Sequence, residues 1–224
     1  MSLKKAIKSL SFFSLLEQNQ IDDVAKIATL NTYSKDYVLH YENQTTPYLQ
    51  FLVSGLAKAY KIDKHENEIF LYHVKQDSLL SEITNLQTHK LRTFSNLALE
   101  EDSKILSLEY ALFKKQFLDK KVLCHEFAHE VLQHSSKMQD LLNREFIFDA
   151  VSKVAMMLTS DLSMFNKLKR HDIALMLHIQ PATLSRVLNR LKRNNIISIR
   201  QGQIDVVDRV SLQNVYKGDG YEEN

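Results

Sequence analysis

The period of the apolar positions changes twice along the chain. Over residues 3–30 they step at helical spacing, Leu3, Ile7 and Leu10, then Ile21, Val24, Ile27 and Ala28, with Phe12-Phe13 and Leu15-Leu16 between the two sets, which predicts short helices. From Tyr37 to about Leu108 the pattern is that of strands, in Tyr48–Val53, Leu56–Ile62, Glu68–Val74, Phe94–Leu99 and Lys104–Ser107. Turn chemistry separates them at Asn43-Gln44, Ser54-Gly55, His65–Asn67 and Lys75–Ser78. So many short strands at this spacing predict a small barrel or β-roll. Helical spacing then returns: residues 110–118 read as a short helix and 119–147, free of Pro and Gly, as one long helix.

That long helix carries Cys124, Phe127, Val131, His134, Met138, Leu141 and Phe148 in steps of three and four, with Glu145 as the polar exception in the last gap. Such a stripe fits a coiled-coil seam and predicts a homodimer joined through paired long helices, although a helix lying on its own domain would show the same spacing. After Asp149 another helix is expected to about Leu162, and residues 217–224 read as a polar, disordered tail.

Residues 170–191 read as two helices joined by a tight turn. Ala174 is small where the helices must cross, and Ile173, Leu177, Ile179, Leu184, Val187, Leu188 and Leu191 supply a shared core. Gln180 is placed to cap the second helix, and Pro181 suits its first turn, where a backbone N–H would lack an intrahelical partner. With its inward face committed, this helix projects Pro181, Ala182, Ser185 and Arg186 as candidate readers of base edges: an Arg at an exposed helix N-terminus can bond a guanine edge with both arms. Arg170, Gln180, Thr183, Asn189, Arg190, Lys192 and Arg200 are the candidate backbone contacts, which set register and affinity. Ile196–Arg200 and Gln203–Val207 flank Gln201-Gly202 as a strand–turn–strand wing.

Charge distribution agrees with this division. Residues 164–203 hold eight Lys/Arg and one acid, Asp172, a balance of +7, whereas the rest of the 224-residue chain carries 21 basic and 26 acidic residues, or −5. A basic module on a mildly acidic one is the footprint of a nucleic-acid binder with a separate regulatory part. The single cysteine, Cys124, excludes an intramolecular disulfide and a cysteine-ligated metal site built by itself, and fits a cytoplasmic protein. Neither a signal-peptide core nor a membrane span is expected, because the N-terminal apolar residues are broken by Lys8, Ser9, Ser11 and Ser14.

On "FFSLL" near the start, "YLQFLVSGLAKAY", the long helix, "DAVSKVAMML" and above all "IQPATLSRVLNRLKRNNIIS", the chain resembles the superfamily of the cyclic AMP receptor protein and the fumarate–nitrate reduction regulator (CRP/FNR). The resemblance implies an α+β chain: a cyclic-nucleotide-binding-like β-roll sensor over 1–118, a dimerisation helix over 119–148 and a winged helix-turn-helix over 149–216. It implies a homodimer on a pseudo-palindromic operator in double-stranded DNA, with RNA polymerase as a further partner. Family members usually have Glu where Ala182 stands and often Gly where His178 stands, a turn position that His occasionally adopts. Ser185-Arg186 is similar to the FNR-type reading head, whose half-sites resemble TTGA.

The resemblance also implies an effector, of unknown identity. An FNR-type iron–sulfur cluster needs four cysteines, which this chain lacks. The cyclic-nucleotide pattern, Gly-Glu-Leu followed ten residues later by Arg-Ser-Ala, survives here as Ser81-Glu82-Ile83 and Arg92-Thr93-Phe94, and the adenine-facing Thr-Ser pair becomes Met138-Gln139. Glu82, Arg92, Thr93, Met138 and Gln139 are therefore the pocket candidates, with an Arg92–Glu82 ion pair as the alternative and Asn43 standing at a family turn Gly. Haem is the other candidate, because some relatives sense gases through it and His125, His129, His134, Cys124 and Met138 lie on the long helix; no ligand is assigned. A constitutive DNA binder with a vestigial pocket is the second reading. The enzyme alternative rests on His125-Glu126-Phe127-Ala128-His129, which matches the zinc pattern HExxH, but Leu132 and Ser135 stand where its extended form wants Gly and His. No catalytic or metal-binding residue is assigned.

Overall fold

The computed structural model describes residues 1–83, 86–88 and 90–217, and the chain divides into two compact units, Met1–Met138 and the remainder from Gln139. Beyond Lys217, the tail expected at 217–224 lies outside the described residues.

The first unit opens with α1 (Leu3–Lys8), a single 3₁₀ turn (Ser11–Phe13) and α2 (Gln18–Lys26), and continues through ten strands. These are β1 (Ala28–Tyr33), β2 (Val38–His40), β3 (Thr45–Thr46), β4 (Tyr48–Ser54), β5 (Leu56–Ile62), β6 (Glu68–Lys75), β7 (Ser78–Leu79), β8 (Leu91–Arg92), β9 (Asn96–Leu99) and β10 (Ser103–Glu109). They form antiparallel sheets in the orders β1-β10-β4-β7 and β2-β9-β5-β6, with β3 paired to β8. β4 is apolar at Leu49 and Phe51–Val53, on both sides of a buried Gln50, because both its faces are covered. Leu49 and Phe51 join a core with Ile7, Phe12, Phe13, Tyr110 and Phe113, while Leu52 joins a second core with Ala57, Ala59, Leu97 and Ile105. Each of the four anticipated turns holds one residue at positive φ: Asn43 (66°), Gly55 (106°), Glu66 (64°) and Asp77 (61°).

Two expectations in this unit need correction. Ala28–Tyr33 is a strand, not the end of the N-terminal helical run; it pairs along its length with β10 from Ala28↔Leu108 to Tyr33↔Ser103. The long helix also starts later than residue 119. After α3 (Tyr110–Gln116) and a 3₁₀ turn (Leu118–Lys120), Lys121 and Leu123 take left-handed conformations, so α4 runs Cys124–Leu142. Leu123 is buried in the N-terminal core, and this anchoring accounts for the detour.

The seam read from spacing is divided by the packing. Phe127 is buried in the core of its own unit and His134 turns its ring toward Tyr72 of β6, whereas Cys124, Val131 and Leu132 are exposed. Phe148 does not lie on the helix at all: α4 gives way to one π-helical turn (Asn143–Ile147), and Phe148 is extended, its ring edge-on to Tyr216 at 5.8 Å.

In the second unit α5 (Ala150–Ser160) is capped by Asp149, whose carboxylate accepts from Ser152 N at 2.8 Å. The helix expected to reach about Leu162 stops at Ser160, because Asp161 breaks it and caps α6 (Leu162–Lys167) by accepting from Met164 N at 3.2 Å. There follow α7 (Arg170–Met176), α8 (Pro181–Arg193), the hairpin β11 (Ile197–Arg200) and β12 (Gln203–Val206), and α9 (Arg209–Lys217), which packs on α5 and which the sequence pattern did not announce.

Gly55 joins β4 to β5 at φ 106°, and a Cβ there would stand 2.1 Å from Ser103 Oγ and 3.0 Å from Ser103 Cα. Gly55→Ala is expected to lower the stability of the β-roll by about 3 kcal/mol or more, combining a forbidden φ with an overpacked site, as read by urea denaturation.

Candidate nucleic-acid interface

Burial under α8 fixes what it can present. Leu184, Val187, Leu188 and Leu191 point inward and share a core with Ile173, Ala174 and Leu177; Ala174 is 1% exposed, as a close crossing requires. The chain turns between α7 and α8 through His178 at φ 52°, and Ile179 N bonds Ala174 O at 3.0 Å. Pro181 occupies the first turn of α8. Gln180 is its N-cap residue, but its side chain makes no capping bond, which corrects the capping role expected for it.

The outward side of α8 carries Pro181, Ala182, Ser185, Arg186, Asn189, Arg190 and Lys192, all exposed, with Thr183 half-buried. Ser185 Oγ donates back to Pro181 O at 3.1 Å, and Arg186 Nη2 donates to Thr183 Oγ1 at 3.3 Å, which folds the guanidinium across the N-terminal turn. Thr183 thus sits beside the reading residues. Arg200 is exposed at the end of β11, where Gln201 (φ 50°) and Gly202 (φ 83°) make a tight hairpin turn with positive φ at both central positions.

Arg170 is the clear departure from the backbone-contact group. Its Nη2 donates to Gly202 O at 2.9 Å, its guanidinium lies 5.1 Å from the Phe165 ring centroid, and its Nη1 is buried. Burial also pulls its proton affinity down. It fastens the wing to the start of α7. Sequence reasoning also missed Asn166, whose amide donates to Ile204 O and accepts from Ile204 N, both at 2.8 Å, pairing α6 with β12 as a strand would. An Asn in a polar stretch gives no such signal.

In the first unit the structure brings two of the pocket candidates, Glu82 and Thr93, to one cavity. A small cavity of about 20 Å³, room for a single water, is lined by Glu82, Thr93, His40, Tyr72, Ser95, His134 and Lys137 among others. Glu82 accepts from Phe94 N and from Ser95 Oγ, the latter at 2.6 Å. Arg92 is outside this lining: it donates to Asn43 Oδ1 at 2.7 Å and lies over the Phe94 ring, and the alternative Glu82 ion pair is not formed. Met138 and Gln139 are not in the lining either; from α4 it is His134, with Nε2 3.3 Å from Tyr72 Oη, and Lys137 that face the cavity. The interior network His40 Nε2 to Gln50 Oε1 and Gln50 Nε2 to Ser107 Oγ was not visible in the spacing. Of the histidines weighed for metal or haem, His125 is 92% exposed in its side chain and His129 bonds Gln133; among the described residues no three His, Cys, Asp or Glu side chains gather to hold a metal ion.

Residues 154–215, which span α5 to α9, match the family model described as the Crp-like helix-turn-helix domain. The second unit carries a Crp-like helix-turn-helix. No curated protein matches the chain. Among solved structures, FixK2 from Bradyrhizobium japonicum is similar with a TM-score of 0.64 and 19% identity, covering 87% of this chain and 100% of that one. A mutant of CooA from Carboxydothermus hydrogenoformans gives 0.63 and 19%, covering 84% and 88%. A crp/fnr-family transcriptional regulator from Eubacterium rectale gives 0.61 and 15%, covering 94% and 100%. The chain therefore has the CRP/FNR fold: a cyclic-nucleotide-binding-like β-roll, a long helix and a winged Crp-like domain. Among the described residues no helix is long and apolar enough to cross a membrane.

Burial lowers the proton affinity of both His40 and His134, so each is held neutral in the folded β-roll at a pH where the unfolded chain would protonate it. The unfolded state then binds more protons, and stability falls as pH drops through the ordinary histidine value of about 6.5. Thermal unfolding between pH 8 and 5 is expected to show this loss, and His134→Gln to make the curve shallower; an unchanged curve would remove His134 from the account.

Proposed function

We propose that the protein is a sequence-specific DNA-binding transcription regulator of the CRP/FNR type, acting in the cytoplasm as a homodimer on a pseudo-palindromic operator. The observation that carries this reading is the exposed N-terminal half of α8, with Ser185 and Arg186 on its outward side, in a Crp-like helix-turn-helix whose surroundings are basic. An α-helix of this kind fits the major groove, where Arg186 would read a guanine edge and Ser185 a base or phosphate. Ala182, in place of the family Glu, presents only a methyl group, which suits contact with a thymine methyl. Arg190, Lys192, Asn189 and Arg200 remain as backbone contacts, and Gln180, with no capping bond to make, joins them. RNA polymerase is the expected partner in transcription.

Dimerisation is assigned to the exposed apolar side of α4. Cys124, Phe127, Ala128, Val131 and Leu132 line an open apolar groove together with Ile83 and Leu86, and Leu132 is 68% exposed. A second copy of α4 laid along this face would cover it. The effector, if one acts, belongs at the junction of the β-roll with α4, where its binding to one of two dimer geometries would shift the spacing of the recognition helices. The second reading, a constitutive binder with a vestigial pocket, is favoured by one specific observation: Arg92 is turned to Asn43 and the cavity beside Glu82 holds no more than a water.

With a duplex selected from a random-sequence pool, Arg186→Ala is expected to erase about 1–3 kcal/mol of preference over scrambled duplex while general affinity changes little. Arg190→Ala should weaken both duplexes alike and flatten the salt dependence by about one charge. Equal losses on both duplexes for Arg186→Ala would return that residue to the backbone. Leu132→Glu is expected to convert the dimer to a monomer in sedimentation equilibrium; a dimer that persists would move the interface elsewhere.

A further inference from the structure

His178 holds a position that favours glycine, φ 52° in the turn of the helix-turn-helix, and its side chain is what distinguishes it from one. Its Nδ1 lies 2.9 Å from Glu145 Oε2. Glu145 belongs to the π-helical turn Asn143–Ile147 that directly follows α4, and its other oxygen accepts from Arg144 Nε at 2.8 Å. Arg144 is 7% exposed, so the carboxylate is gripped from both sides, once by a buried cation and once by the helix-turn-helix turn. Burial opposes the charge on Glu145, yet the bonds from His178 and Arg144 outweigh it and hold the carboxyl below its usual range.

We propose that Glu145 and His178 are positioning residues for DNA recognition: their bond ties the end of the long helix to the turn that aims α8. The inference rests on the DNA-binding reading above. π-turns are rare and cluster at functional sites because they re-aim the residues they insert, and here the turn delivers Glu145 to the one left-handed residue between the two helices of the motif. A glycine at 178 would satisfy the backbone equally well and leave Glu145 with one partner fewer. The side chain therefore adds orientation, not the turn itself. The candidate reading residues bond elsewhere, Ser185 to Pro181 O and Arg186 to Thr183 Oγ1, so the contribution of the pair reaches DNA through the angle of α8.

The experiment compares wild type, His178→Gly, Glu145→Ala and the double variant by two readouts. The first is binding to the selected and scrambled duplexes. Each single variant is expected to lose about tenfold on the selected duplex, the order commanded by one charge-assisted hydrogen bond, with an unchanged salt slope. The double variant should be no worse than either single, because both remove the same bond. Multiplying losses, a changed slope or full affinity in the singles would overturn the proposal. The second readout is amide hydrogen exchange without DNA: Glu145→Ala is expected to raise exchange at residues 177–180, and His178→Gly at residues 143–147. Exchange that rises only at the substituted segment would overturn the tie by itself. Should wild type fail to bind any duplex, the DNA-binding reading falls, and the exchange data still decide whether the tie exists.

Discussion

The second unit depends on a backbone constraint at one residue. α7 and α8 can share a core only if the chain reverses between them within four residues, and it does so by taking His178 into the left-handed region. That conformation costs a residue bearing a Cβ about 1 kcal/mol. Burial of Leu177, Leu184, Leu188 and Leu191 against Ile173 and Ala174 offsets it several times over, at roughly 1.5–3 kcal/mol for each large apolar side chain. Once that face of α8 is committed, helix geometry leaves Ala182, Ser185, Arg186 and Asn189 on the other side. The surface proposed to read DNA is the complement of the core.

The wing is held in place by a different kind of bond. Asn166 pairs with both backbone groups of Ile204, and Arg170 holds the carbonyl of Gly202. A two-stranded hairpin is marginal alone, so these contacts from α6 and α7 keep the hairpin beside the recognition helix. Arg170 thereby braces the wing against the start of α7.

In the β-roll, β4 was legible as a strand but without clean alternation, and the structure shows why: Phe51 and Leu52 face different cores. Turn positions were readable because Asn43, Gly55, Glu66 and Asp77 lie among residues that tolerate or signal reversal. β1 was not, since an edge strand of Ala-Thr-Leu-Asn-Thr-Tyr takes its identity from the partner strand β10 and carries little periodicity of its own. Side-chain direction at the effector candidates was illegible for a related reason. Glu82 and Arg92 keep a familiar spacing in the sequence, but spacing does not say which way a side chain turns, and Arg92 turns to Asn43.

Local pattern was enough to establish the order of β-roll, long helix and helix-turn-helix, the inward face of α8 and hence the residues it exposes, because periodicity and turn chemistry belong to short stretches of chain. Packing alone settled that Phe127 is buried in the core of the first unit and His134 turns to Tyr72, that α4 begins at Cys124 and ends in a π-turn, that Arg170 braces the wing, and that Glu145 meets His178 across 33 residues of chain. Each of these is a choice among partners distant in sequence. Side-chain identity limits what bonds a residue can make, and only the packed fold says which partner is within reach.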